Sequence, residues 1–140
     1  MQHKQDKRGV KLDEKNPVGI KFIGWFHIFG ALVILFTLNV QQTPPLNVRF
    51  AVPFVPELIV RMFVAVFTII IAYGYLKCLK WGYWSMLIYN IIFCCISITQ
   101  ITEYGGQPFI GNAIYSAIVV LYTICHGKYF LKYNKLQIQS

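Results

Sequence analysis

Hydrophobic positions in this chain fall in four long stretches, and charged positions fall between them. No Lys, Arg, Asp or Glu occurs from Phe22 to Val48, Met62 to Leu76, Trp81 to Thr102 or Tyr104 to Gly127. A bilayer-spanning helix needs ~20 predominantly apolar residues. Three of the stretches reach that length outright. The second reaches it when Leu58-Ile59-Val60 is added, with Arg61 snorkelling outward. The pattern predicts an all-α polytopic membrane protein, with four transmembrane helices in a compact bundle, over about 18–39, 57–76, 81–101 and 109–126.

The breaks between stretches have local causes. Pro17 suits the first turn of the first helix. Pro44, Pro45, Pro53 and Pro56 forbid a continuous helix across the first outer loop, although that loop is rich in apolar residues. Such a segment is expected to lie on the membrane surface or to cap the helix ends. Pro56-Glu57 is a good helix start, with a carboxylate in the first turn. Lys77-Cys78-Leu79-Lys80 is so short that helices two and three must form a tight antiparallel hairpin. Glu103 to Pro108 contains a Gly-Gly turn and forms the second outer loop.

Charge sets the orientation. Lys4, Lys7, Arg8, Lys11, Lys15 and Lys21 precede the first helix, Lys77 and Lys80 sit between the second and third, and Lys128, Lys132 and Lys135 follow the fourth. Only Arg49 and Arg61 fall on the opposite side. Cytoplasmic loops carry the excess of Lys and Arg, so both termini are expected in the cytoplasm. This accounts for the formal net charge of +8 without a nucleic-acid partner. With 56% hydrophobic and 13% charged residues, the chain has no material for a separate soluble domain. The expected division is a basic arm (1–17), a membrane domain (18–127) and a basic tail (128–140). The arm can rest on anionic headgroups or act only as a retention signal. No small-x-small site follows the first helix, so a cleaved signal peptide is not expected.

Aromatic residues gather at the inner ends of the helices: Phe22, Trp25 and Phe26; Tyr73 and Tyr75; Trp81, Tyr83 and Trp84; Tyr129, Phe130 and Tyr133. They read as an interfacial belt. Cys78, Cys94, Cys95 and Cys125 avoid the outer loops, which argues against a disulfide framework.

Candidate chemistry is sparse. His27, Asn90, Gln100 and His126 are polar groups within or at the ends of spans, where they are costly and favour contacts between helices. If the first and fourth spans touch, His27, Cys125 and His126 can approach one another, but no ligand spacing supports a metal site. Arg49, Glu57, Arg61 and Glu103 belong near the outer helix ends and are expected to form an ion-pair cluster or to meet a charged group. Ala113 and Ala117 form a small-xxx-small face suited to helix contact. There is no Gly-rich phosphate loop, serine elbow, HExxH or C-x-x-C, and no carboxylate inside the first span of the kind small multidrug-resistance transporters use. An enzyme is not expected, nor a cofactor.

The Gly-rich first helix, the Pro-bearing outer loop and the run Leu76-Lys77-Cys78-Leu79-Lys80-Trp81-Gly82-Tyr83-Trp84 carry a resemblance. The chain resembles small four-helix bacterial membrane proteins assigned to domains of unknown function. In those, helix two ends in Gly-x-Leu before a basic turn and Trp-Gly-x-Trp, and the last helix ends in Tyr and basic residues, as Tyr122 to Lys128 do here. The resemblance implies a bacterial inner-membrane protein of unestablished activity and supplies no catalytic residues. The expected role is a non-enzymatic accessory or interaction subunit, with membrane lipids and another membrane protein or a second copy as partners. The alternatives are a small-solute transporter acting as a homo-oligomer, and an immunity-type protein against a membrane-active peptide.

Overall fold

The computed structural model describes residues 17–138. The basic arm over 1–16 lies outside the described residues. All regular structure among the described residues is helical: α1 (Val18–Phe36), α2 (Leu46–Arg49), α3 (Glu57–Leu76), α4 (Lys80–Tyr104), α5 (Phe109–Cys125) and α6 (Gly127–Ile138). Helices α1, α3 and α4 are long and apolar enough to cross a membrane. Helix α5 is apolar with 17 residues, at the lower edge of the ~17–25 that span a bilayer.

Each long helix packs on the next, α1 on α3, α3 on α4 and α4 on α5, while α5 returns to α1 only lightly. This closes a four-helix ring. Contacts between α1 and α5 run in opposite directions along the two helices: Gly19 lies against Tyr122, and Phe26 against Tyr115. The tightest crossing joins α3 to α4, where a Cβ on Gly82 would stand 2.2 Å from the Gly74 carbonyl carbon. Close backbone approach of this kind is what small residues permit in membrane bundles.

The turn between α3 and α4 follows from its backbone bonds. Leu79 N–H donates to the Gly74 carbonyl and Cys78 N–H to the Tyr75 carbonyl, each at 3.0 Å, with Cys78 at φ 54°. That is a Schellman ending, with Cys78 in the left-handed position usually held by glycine.

Several boundaries differ from the sequence expectation. Helix α1 stops at Phe36, because the Thr37 hydroxyl folds back onto the Val33 carbonyl at 2.7 Å and the Thr37 carbonyl is taken by Arg61. Helix α4 begins at Lys80 and continues to Tyr104, ending at Gly105 with φ 86°. The first outer loop is not uniformly extended. It contains α2, packed on α3 and α4, and it folds over the ends of those helices.

The tail is more than a basic extension. Helix α6 sends Phe130 into the end of the bundle beside the α3–α4 turn, where it is fully buried against Tyr75 and Tyr83 at ring distances of 5.1 and 5.3 Å. The belt expectation is therefore corrected for three residues. Tyr75, Tyr83 and Phe130 are core, together with Ile20, Ile23, Ile71, Met86 and Val119. Phe22, Trp25, Tyr73, Trp81 and Trp84 remain exposed on the outside of the ring. The Tyr133 side chain lies outside the described residues.

Candidate functional site

Two polar clusters and one apolar groove are the features with chemical content. The outer cluster is built on Arg61. It sits one turn into α3 and is only 2% exposed. Its Nη2 lies 2.6 Å from Glu57 Oε1, and its Nε donates to the same oxygen at 3.0 Å. Nη1 donates to the Thr37 carbonyl, and Nη2 to the Val40 carbonyl at 2.8 Å. Glu57 Oε1 also accepts the Leu46 N–H at 3.2 Å. The guanidinium thus ties the end of α1, the start of α3 and the start of α2 into one unit. It does not snorkel outward, because backbone carbonyls at a helix end and a carboxylate one turn away satisfy it inside the chain.

The sequence predicts Arg49 and Glu103 in the same cluster, and the structure separates them from each other. Arg49 lies near enough to Arg61 to feel its charge; burial first, and that charge second, depress its pKa. Its Nε is buried with no hydrogen-bond partner. Glu103 is exposed at the end of α4 and forms no ion pair among the described residues.

The inner polar cluster is built on His27, buried between the helices. Its Nδ1 donates to the Ile23 carbonyl at 2.9 Å and lies 3.2 Å from the Tyr115 hydroxyl. The Asn90 side chain hydrogen-bonds the ring, and Tyr89 meets it edge-on at 6.3 Å. Asn90 also donates to the Met86 carbonyl at 2.9 Å. Below this level the Tyr75 and Thr123 hydroxyls meet at 3.0 Å, across the ring from α3 to α5.

His126 is not part of this cluster. Its ring stacks on Tyr122 at 4.0 Å, and its Nδ1 donates to the Tyr122 carbonyl at 2.9 Å. Tyr115, which does meet His27, is about 16 Å up the helix from His126 at ~1.5 Å per residue. The antiparallel offset of α1 and α5 therefore keeps His27 away from Cys125 and His126. No cluster of three or more His, Cys, Asp or Glu suited to a metal exists among the described residues.

Gln100 and Ser116 are both buried, and neither Gln100 Oε1 nor Ser116 Oγ has a hydrogen-bond partner. Ala113 is turned toward α4, its carbonyl oxygen 3.6 Å from Cys94 Sγ, and Ala117 is half-buried. Tyr115, Tyr89 and the Tyr75–Thr123 pair were not singled out as polar partners from the sequence. A signal existed: Asn90 and Ser97, Ser116 and Thr123, and Thr68 and Tyr75 are each seven residues apart, which places each pair on one helix face.

The groove lies between α3 and α4, with a volume of about 590 Å³. Ile59, Phe63 and Phe67 form one wall and Ile88, Ile92 and Ile96 the other. Phe50 also lines it, stacked on Phe93 at 5.1 Å. No protein-family model matches this chain, and no curated protein or solved structure matches it.

Proposed function

We propose that this chain is a four-span membrane protein of the bacterial cytoplasmic membrane, with both termini in the cytoplasm, acting as a non-enzymatic accessory or interaction subunit. Helix α5 serves as the fourth span, and the excess of Lys at the Lys77–Lys80 turn and in α6 supports the orientation.

One observation carries the interaction role. Arg61, His27 and Asn90 are engaged within the chain itself, whereas the outward face of α5 is a continuous apolar ridge. Ile110, Ile114, Ile118 and Leu121 are all exposed on that ridge, on the side of α5 opposite buried Ser116, Val119 and Thr123. Three of its four residues are β-branched isoleucines with restricted rotamers, which suits close packing by a partner helix. Ala113 and Ala117, the small-residue face that the sequence offers for such a contact, lie to one side of it.

Native mass spectrometry of the protein extracted gently from its own membrane tests this reading. A stoichiometric second protein is expected, crosslinked by a photoreactive residue in place of Ile114 or Ile118. Recovery of the lone chain, with no crosslink from either position, argues against it.

A second reading, small-solute transport by a homo-oligomer, is favoured by the unpartnered Gln100 and Ser116 oxygens inside the ring. It predicts that Gln100→Leu abolishes flux in vesicles while leaving the fold intact.

A further inference from the structure

Every lysine of residues 17–138 is exposed and lies at one end of the bundle: Lys21, Lys77, Lys80, Lys128, Lys132 and Lys135. Lys77 and Lys80 flank the α3–α4 turn. Helix α1 reaches that end because Gly24 lies against Leu76, and α6 reaches it through Phe130 on Tyr75 and Tyr83. The two acidic side chains of the same region, Glu57 and Glu103, stand at the far ends of α3 and α4. That is about 30 Å away at ~1.5 Å per residue. None of the six lysines forms an ion pair among the described residues. The preceding arm, over 1–16, has five basic and three acidic residues, so it adds positive charge and does not cancel it.

Helix α6 fixes the depth of three of these charges. Gly127 is buried on Tyr83, where a Cβ would stand 2.8 Å from the hydroxyl, and Phe130 is buried on the same ring. Tyr83 belongs to the first turn of α4, between Trp81 and Trp84, which are both exposed. Exposed tryptophans settle at the headgroup level. Helix α6 therefore begins in the headgroup layer and not in water beyond it. Along α6, Lys128, Lys132 and Lys135 follow an i, i+4, i+7 spacing. They fall within about 40° of the direction opposite Phe130, at ~100° per residue. A helix docked in the interface by an apolar side chain, with lysines on its polar face, is arranged to attract anionic lipid.

We infer that this end of the bundle is a binding surface for anionic phospholipids, with α6 held in the headgroup layer and its three lysines, together with Lys77 and Lys80, on the lipid phosphates. The inference rests on the membrane-spanning reading above, but not on the interaction role. Two features select lipid over an acidic protein. The charges sit at headgroup depth, where lysines gain from an anionic surface. They are also spread over α1, the α3–α4 turn and α6, so lipids around the bundle meet all of them, whereas a folded partner meets one side.

The test uses the protein's own fluorescence. Its three tryptophans, Trp25, Trp81 and Trp84, are all exposed and all lie toward this end. The full chain is reconstituted into mixed vesicles of phosphatidylglycerol and phosphatidylcholine, with brominated acyl chains on one lipid or the other, and quenching gives the relative affinity. Phosphatidylglycerol should be preferred by about fivefold, the scale of one basic residue at an anionic surface. Lys128→Gln, Lys132→Gln and Lys135→Gln together should bring the preference below about twofold. Arginine at the same three positions should keep it, as should Arg49→Gln at the opposite end. Raising the salt to about 1 M, where the Debye length falls to ~3 Å, should weaken it. Equal quenching by the two lipids overturns the inference, as does an unchanged preference in the triple glutamine variant. Polyglutamate bound by a chain that shows no lipid preference points to an acidic protein partner and overturns it too. The same data separate the two failures: equal quenching by both lipids loses this surface alone, and no quenching by either loses the membrane reading with it.

Discussion

Gly82 of α4 stands against the backbone of Gly74 of α3, so close that a Cβ on Gly82 would lie 2.2 Å from the Gly74 carbonyl carbon and 2.5 Å from the Tyr75 nitrogen. Both neighbours are backbone and cannot rotate away. Gly82→Ala should therefore destabilise the protein by about 1–3 kcal/mol, the usual cost of overpacking. Gly30→Ala is the control. Nothing lies within 4 Å of its Cβ position, and the better helix former should be neutral or slightly stabilising. Unfolding by graded denaturing detergent, followed by the fluorescence of Trp81 and Trp84, measures both. Equal stability of the two variants would sink the close-approach account.

Phe130 anchors α6 beneath the ring. Phe130→Ala leaves a cavity between Tyr75 and Tyr83 and should cost about 3–5 kcal/mol, as for other buried aromatic truncations. Phe130→Leu should recover most of that. Because Leu131 is exposed next door, Leu131→Ala should change stability little. A cost confined to Phe130 distinguishes an anchored α6 from a tail that merely follows α5.

Arg61 and Glu57 make the single ion pair among the described residues. Glu57→Gln removes the charge from an oxygen that serves Arg61 and the Leu46 N–H together, and should cost about 1–3 kcal/mol. It should also raise protease cleavage within the loop over 40–56, which that oxygen ties to α3. Arg61→Met should be tolerated better in the Glu57→Gln background than alone, because the carboxylate then no longer lacks its cation. Additive losses in the double-mutant cycle would mean that the pair is uncoupled.

Cys78 lies in the turn between α3 and α4, outside both helices. Burial pushes its thiol up to about 11. The thiolate is the reactive form, so labelling requires deprotonation and accelerates as pH rises toward that value. With Cys94, Cys95 and Cys125 replaced by serine, maleimide should label Cys78 in the folded protein at pH 7.5 about 300-fold more slowly than an ordinary thiol of pKa ~8.5. The rate should rise about tenfold per pH unit up to the folded pKa and reach the ordinary value once the chain is unfolded. Rapid labelling of the folded protein at pH 7.5 would contradict the burial of this turn.

How much could be read from the chain alone depends on how local the cause is. Tyr73 and Tyr75 are both tyrosines near the end of α3, two residues apart. Tyr73 faces outward beneath the Lys77 ammonium, 5.9 Å from its ring, and Tyr75 is fully buried with its hydroxyl on Thr123. Interfacial preference alone assigns both to a belt. Only the position of α5 and α6 against α3 tells them apart.

His27 makes the same point for the polar cluster. Its place within a span follows from counting residues beyond Lys21, and its need for a partner follows from the cost of a bare imidazole in hydrocarbon. That the partners are Tyr115 and Asn90, and not Cys125 and His126, depends on the axial offset between α1 and α5. That offset is fixed by side-chain packing such as Gly19 against Tyr122.

By itself the sequence determined the helical class, the places where the chain turns and the one-turn spacing of Glu57 and Arg61. Each is local. A charge-free run, a proline or an i,i+4 spacing acts within a few residues, and the solvent does the sorting. The tertiary structure decided which aromatic rings are core, that Arg49 and not Glu103 shares the neighbourhood of Arg61, and that α3 and α4 leave a slot between them. Those outcomes depend on how close two backbones come and how far one helix slides along another. Both are set by the summed contacts of residues far apart in the chain.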